Sequence, residues 1–281
     1  MITEVQELRR GSGATPAGHG SVVFTRVGPR TVIERALASS PLRLLSPRTF
    51  AHAQTTYTTT FGGGLVAGDS LNLDAHVREG ASALLTTQSS TKVYRGSAQS
   101  VLEARVDDDA LLVVCGDPLV CFAGARYAQR VSVQLAERAA LVLVDALTAG
   151  RVACGERWAF DGYSSRIEIG RGGEPIVLDS LRLDRGDGDI AERMRGFDAL
   201  ATVIVVGRPL ARHVAAILAA IGGAPRSGAT SIVESTSPLG ADGAIVRIAT
   251  TEIDALAPRI RVLLGFVPAL LGDDPWSRRP G

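Results

Sequence analysis

The sequence predicts a mainly β fold of stacked or sandwiched sheets, and two observations carry that prediction. The first is period-two alternation. In Leu71-Asn72-Leu73-Asp74-Ala75-His76-Val77, apolar and polar residues take turns, which is the mark of a strand with one buried face. The second is cadence. Turn signals at Glu79-Gly80, at residues 107–109, at Gly116-Asp117-Pro118, at Ala149-Gly150 and at residues 170–173 punctuate the chain. A strand therefore arrives about every ten residues from the 20s to Leu183, the spacing of stacked or sandwiched antiparallel sheets.

The elements follow in order. Val131-Ser132-Val133-Gln134-Leu135 and residues 165–169 (SRIEI) repeat the alternation. Residues 184–189 (DRGDGD) read as a polar loop, and 201–206 as a strand. From 209 to 221 the spacing turns helical: Leu210, Val214, Ile217, Leu218 and Ile221 share one face. Gly222-Gly223 stops that helix. Residues 231–234 and 244–249 are strands. A second helix over 251–271 takes Thr251 as its N-cap and has an acidic first turn, with Pro258 and Pro268 kinking or shortening it. Residues 273–281 form a loop. There is no long linker and no exact internal repeat. The expectation is one domain over 1–281, with a β-rich body at about 20–183 and a mixed α/β part at about 190–271.

Composition excludes several classes. The 281 residues are 46% hydrophobic and 21% charged with a net charge of +1, which suits a globular chain and not a disordered one. The two signs of charge interleave, so no nucleic-acid stripe or polybasic membrane anchor exists. No apolar run reaches the ~20 residues that span a bilayer, and residues 1–10 are too charged for a signal peptide. Three cysteines without a C-x-x-C pair argue against a disulfide framework or a structural zinc site. The expected setting is a reducing cytoplasm.

Catalytic signatures are missing. The phosphate loop G-x-x-x-x-G-K-[ST] is absent, because the one lysine lies in Thr91-Lys92-Val93. There is no G-x-S-x-G elbow and no H-E-x-x-H. His19, His52, His76 and His213 stand apart, with His19 in a glycine-rich segment where it offers at most weak metal binding. Gly62-Gly63-Gly64 reads better as a β-connection that needs positive φ than as an anion cradle. Cys115 or Cys121 with His76 as base is a conceivable nucleophile pair; buried hydrophobic cysteines are the commoner case.

Three segments are more specific: residues 59–69 (TTFGGGLVAGD), 84–95 (LLTTQSSTKVYR) and 149–160 (AGRVACGERWAF), with Asp117-Pro118 and residues 122–126 (FAGAR) between them. In that order and at those separations, the chain resembles the UreD (UreH) family of urease accessory proteins. The likeness thins beyond about Leu183 and is weak over the first 50 residues. It implies stacked β-sheets of a broad β-solenoid type with a few helices in the C-terminal third, and no enzymatic activity. It also implies a scaffold that binds apo-urease together with UreF and the GTPase UreG. Such a scaffold helps deliver nickel through an internal, water-filled tunnel, with Ni²⁺ as a transient passenger and no tightly bound cofactor. The alternative is a β-rich protein-binding module that keeps the fold without the urease role. Two features depart from the family pattern or leave it open. Cys115-Gly116 stands where family members commonly carry Leu-Pro, and Trp276 lies in a tail compatible with theirs.

A path for nickel needs oxygen ligands that let go, whereas a storage site would use close-set His and Cys. On the matched segments, Asp69 and Glu156 are the candidate path carboxylates, and Thr86, Thr87, Ser89 and Ser90 the candidate polar lining. Each has a structural reading too: a turn cap for Asp69 after Gly68, an ion pair with Arg151 or Arg157 for Glu156, and an ordinary β-ladder for the threonines. No partner-contact residues can be named.

Overall fold

The computed structural model describes residues 16–49, 51–222 and 231–276. The chain opens with β1 (His19–Val27), β2 (Arg30–Ala38), β3 (Leu42–Leu45), β4 (Gln54–Thr60) and β5 (Gly64–Leu65). A regular body follows: β6 (Ser70–Val77), β7 (Ser82–Thr87), β8 (Lys92–Val93), β9 (Gly96–Val106), β10 (Leu111–Cys115), β11 (Leu119–Cys121), β12 (Ala125–Leu135) and β13 (Ala140–Thr148). Then come β14 (Gly162–Arg171), β15 (Glu174–Asp184), α1 (Ile190–Arg193), β16 (Ala199–Val206), α2 (Ala211–Ile221), β17 (Ile232–Pro238), β18 (Gly243–Thr250), α3 (Ile253–Leu263) and α4 (Val267–Leu271).

These strands build two stacked sheets of solenoid type. The first has the order β15-β14-β12-β9-β6-β1-β2, and the second runs β17-β18-β16-β13-β10-β7-β4-β3 with β5, β8 and β11 alongside. Strands alternate between the sheets, β6 in the first, β7 in the second, β9 in the first again. Each return to a sheet therefore arrives in the same direction. The central pairs β6–β9, β9–β12, β12–β14, β4–β7, β7–β10 and β10–β13 are parallel. This corrects the antiparallel expectation: alternation of period two is the same in both arrangements, and only the connections decide direction. Antiparallel pairs flank this parallel body: β1–β2 and β14–β15 at the ends of the first sheet, and β3–β4 and the run β13–β16–β18–β17 in the second.

The coil has a repeat that residue identity hides. Leu73, Leu102 and Val131 share a register row, as do Ala75, Ala104 and Val133. The offset between successive coils is 29 residues, seen again where Thr86 Oγ1 donates to the Cys115 carbonyl. Ala81, Ala110 and Ala139 occupy one corner, each closing a turn by donating its N–H three residues back. All three are buried, because a larger side chain at the corner would push the coils apart.

Leu85, Leu112, Leu141, Leu143 and Ile204 fill the space between the sheets. The outer face of the second sheet is covered by α2, α3 and α4 through Val214, Ile217, Leu256, Ile260 and Val267. Each such side chain, fully buried, stabilises by about 1.5–3 kcal/mol. The helix expected over 209–221 begins as a 3-10 turn at residues 208–210 and ends at Gly222, whose N–H donates to the Leu218 carbonyl at 2.8 Å; Gly223 lies outside the described residues. The helix expected over 251–271 is two helices. The break falls at residues 264–266, not at Pro258, which lies inside α3. Nor is Thr251 the N-cap: its N–H continues the sheet to the Ser231 carbonyl at 2.9 Å, and Glu252 holds the cap position. Gly62 and Gly63 have φ of +83° and +71° in the connection to β5, as the β-connection reading requires.

Candidate functional site

Polar residues interrupt the inward face of β7, β13, β16 and β18 in the second sheet, and register sets them in one row. Leu85, Leu143 and Ile204 face the inter-sheet core. Two residues further along β7 and β13, and two residues back along β16, sit Thr87, Asp145 and Thr202, on the same face. Thr58 pairs with Thr87, Asp145 with Thr202, Thr202 with Arg247, and Arg247 with Ser235. The first sheet answers with Ser100, Gln129 and Ser165, again one row. A polar seam thus crosses the strands inside an otherwise apolar sandwich.

Space follows the seam. A cavity of about 210 Å³ is lined by Thr86, Thr87, Ser100, Gln129 and Asp145. A second, of about 260 Å³, is lined by Asp145, Thr202, Glu234, Ser235 and Arg247. Asp145 belongs to both. A narrower pocket of about 50 Å³ contains Gln88, Ser89 and Ser90 and shares Thr58 and Thr91 with the first cavity. The three volumes form a series from the loop after β7 to the β17–β18 side.

Asp145 is the waist of the series. Gln129 Nε2 donates to its Oδ1 at 2.7 Å and Ser165 Oγ donates to Oδ2 at 2.6 Å, while Tyr163 Oη lies 3.4 Å from both oxygens. Burial pushes its carboxyl above the usual range, and the neighbouring Asp179 adds to this; the hydrogen bonds from Ser165, Gln129 and Tyr163 oppose it. Burial also raises the phenols of Tyr127 and Tyr163, so both stay protonated. Tyr127 is fixed by Ser100 at 2.6 Å. Beyond the waist, Arg247 Nη2 donates to Asp179 Oδ1 at 2.5 Å, and Arg259 grips Glu234 through two bonds of 2.5 and 2.9 Å.

The donors here are oxygens: carboxylates, with Asp145 shared by both cavities and Asp117 and Glu234 on one each, an amide, and hydroxyls. Such a set binds a divalent transition ion loosely compared with imidazole or thiolate. Among the described residues, no group of three His, Cys, Asp or Glu could hold a metal ion.

The sequence candidates divide. Thr86 and Thr87 line the first cavity, and Ser89 and Ser90 the narrow pocket. Thr87 Oγ1 accepts the Asp117 N–H at 2.8 Å. Gly116, part of the departure from the family pattern, also lines that cavity; a Cβ there would sit 3.1 Å from the Thr87 methyl, tighter than ordinary packing. Asp69 and Glu156 lie off these cavities. The Asp69 carboxylate caps its own turn, accepting the Val66 N–H at 2.8 Å. Glu156 pairs with Arg151 (Nε to Oε2 2.9 Å) and accepts the Ala123 N–H at 3.2 Å; the arginine above all holds its carboxyl below the usual range. The segment 149–160 is a corner. Gly150 has φ +95°, and Trp158 is buried and donates Nε1 to the Phe197 carbonyl at 2.9 Å.

Cysteine chemistry finds no support. Cys115 and Cys121 are buried, and burial pushes the Cys121 thiol up to about 12, where it is not a nucleophile at neutral pH. His76 is held instead by Asp107 at 2.8 Å. His19 contacts Asn72 at 3.3 Å.

Sequence reasoning missed Asp145, Gln129, Tyr163, Ser165, Asp179 and Arg247. A signal existed for two of them. Asp145 is the lone charge in Ala140–Thr148 (ALVLVDALT), and Arg247 the lone charge in Gly243–Thr250 (GAIVRIAT). A charge inside an apolar strand is expensive unless it has a task or a partner.

A family model described as UreD urease accessory protein matches residues 16–279. A urease accessory protein UreD from Sorangium cellulosum (strain So ce56) is 50% identical over 95% of this chain and 85% of its own length. One from Anaeromyxobacter sp. (strain Fw109-5) is 41% identical over 94% and 90%. Urease accessory protein D of Arabidopsis thaliana is 42% identical over 68% of each chain. No helix among the described residues is long and apolar enough to cross a membrane.

Proposed function

The chain belongs to the UreD family of urease accessory proteins, and from that premise we propose that its working part is the polar seam through Asp145, acting as a conduit for Ni²⁺. The role is that of an accessory protein to urease. In this reading the body is a scaffold in the cytoplasm: one face meets apo-urease, another meets UreF and through it the GTPase UreG, and nickel is a passenger between them.

The observation that carries the reading is that two cavities meet at one enclosed carboxylate. An ion leaving water needs replacement oxygens along its way. Thr87, Ser100 and Gln129 supply them before the waist, and Thr202 and Ser235 after it. Thr86 lines the first cavity beside Thr87, and Ser89 and Ser90 line its narrow end. Asp145 supplies the one charge they lack. Its raised affinity for a proton makes the exchange reversible, since the incoming ion displaces a proton that returns when the ion moves on. Asp69 and Glu156 then serve by holding the turn before β6 and the 149–160 corner.

The test is co-expression with the urease subunits and the other accessory proteins in a host without this chain. Asp145→Asn keeps the shape and most hydrogen bonds and removes the charge. Complex assembly should be unchanged, while nickel content and activity of urease fall by about tenfold or more. Full nickel loading with the variant would refute the conduit.

A further inference from the structure

The second cavity contains a positive charge where a cation is to pass, and this needs a physical account. We propose that Arg247 is a displaceable gate: its guanidinium occupies the Asp179 carboxylate, and a divalent ion leaving Asp145 must take its place. This inference rests on the conduit reading above and adds a component to it.

Four observations support it. Arg247 lies in the same inward row as Asp145, two strands away through Thr202, and lines the cavity beyond the waist. Asp179 sits on β15 beside Ile167, whose side chain faces the inter-sheet core, so the acid points inward as well. The two acids are close enough for Asp179 to raise the carboxyl of Asp145. Exposure is unequal: the Asp179 side chain is 10% exposed and that of Arg247 is 54% exposed. The acid is fixed in protein while its cation borders open space.

Among the described residues, the Asp179 side chain has one hydrogen-bonded partner, Arg247, whose other contact is a long one, Nη1 to Thr202 Oγ1 at 3.5 Å. Breaking the pair without replacement strands a buried charge. The pair therefore opens at low cost when another cation arrives to neutralise Asp179. With Arg247 in place, Asp145 stands alone where the two cavities meet, enough for a pause. With Arg247 gone, Asp145 and Asp179 together would hold a divalent ion at rest, and the conduit would become a trap. The guanidinium thus sets how loosely the ion is held. Glu234, the other acid on this cavity, is kept out of play by Arg259.

The experiment measures Ni²⁺ binding to the full chain by isothermal titration calorimetry, alongside urease activation. Arg247→Gln should bind Ni²⁺ about tenfold tighter than the parent, because the competing cation no longer holds part of the population closed. The double variant Arg247→Gln, Asp179→Asn should return to the parent affinity. Urease activation by Arg247→Gln should slow as the ion is retained. Unchanged Ni²⁺ affinity in Arg247→Gln overturns the gate. Should that variant fail to fold, Arg247→Lys serves: it grips Asp179 by a single point and should bind Ni²⁺ tighter by a smaller factor, and parent affinity overturns the gate again. The conduit reading is judged separately by Asp145→Asn. If Asp145→Asn impairs activation and Arg247→Gln binds no tighter, the conduit stands and the gate falls. If Asp145→Asn activates urease fully, the conduit falls, and tighter binding by Arg247→Gln would mark a static site, which overturns the gate too.

Discussion

Gln129→Leu isolates the interaction that keeps a charge at the waist of the seam. The Gln129 amide donates to Asp145 Oδ1 at 2.7 Å and lies 3.0 Å from both Tyr163 Oη and Ser165 Oγ. Leucine has a similar volume, so packing changes little, and the loss is that of a donor to a carboxylate, about 1.5–3 kcal/mol. A loss near 2 kcal/mol lowers Tm by about 4–8 °C in a chain of this size. The sign of its pH dependence is fixed by the same bond. Burial raises the folded-state pKa of Asp145, so in the parent this group's contribution to stability falls as pH rises through that value. Gln129 opposes the rise. Removing it makes the folded protein hold the proton harder, and the cost is full only where the parent is ionised. Thermal melts at pH 8 and pH 4 are the assay. The deficit of the variant should shrink from pH 8 toward pH 4, as acid moves Asp145 toward its neutral form. An equal deficit at the two pH values would refute the argument, because it would mean that Gln129 acts by packing and not through the charge.

Two further outcomes follow from the turns and corners. Asp69→Ala loses the bond to the Val66 N–H and should cost about 1 kcal/mol in urea unfolding with nickel loading of urease unchanged; normal stability with impaired loading would return Asp69 to the nickel path. Gly150→Ala and Gly155→Ala compare two left-handed glycines, φ +95° and +76°. A Cβ on Gly150 would stand 2.7 Å from the Cys121 carbonyl oxygen, whereas one on Gly155 meets nothing within 4 Å. Gly155→Ala should cost about 1–2 kcal/mol from backbone strain alone, and Gly150→Ala clearly more; equal melting curves would show that the close approach is not limiting.

What the sequence by itself determined is local. Alternation placed strands at 71–77, 131–135 and 165–169, helical spacing placed the buried face of α2, and the three motifs identified the family. Those signals survive in one dimension because they depend on neighbours a few residues apart. Thr86 and Thr87, at the end of β7, lie within one matched segment and line the first cavity. Tertiary structure decided the rest. Whether strands run parallel depends on which sheet the next strand joins, and alternation is blind to that. The 29-residue coil was invisible to residue identity, because Ala81, Ala110 and Ala139 share a size and a corner while their flanking residues differ. The seam is the clearest case. Gln129, Asp145, Asp179 and Arg247 come from four strands spread over more than a hundred positions, and only register brings them to one cavity wall or one ion pair. Asp69 and Glu156 were the reverse. They stood out in the sequence beside glycines and arginines, and in the fold Asp69 caps a turn through the Val66 N–H while Glu156 pairs with Arg151.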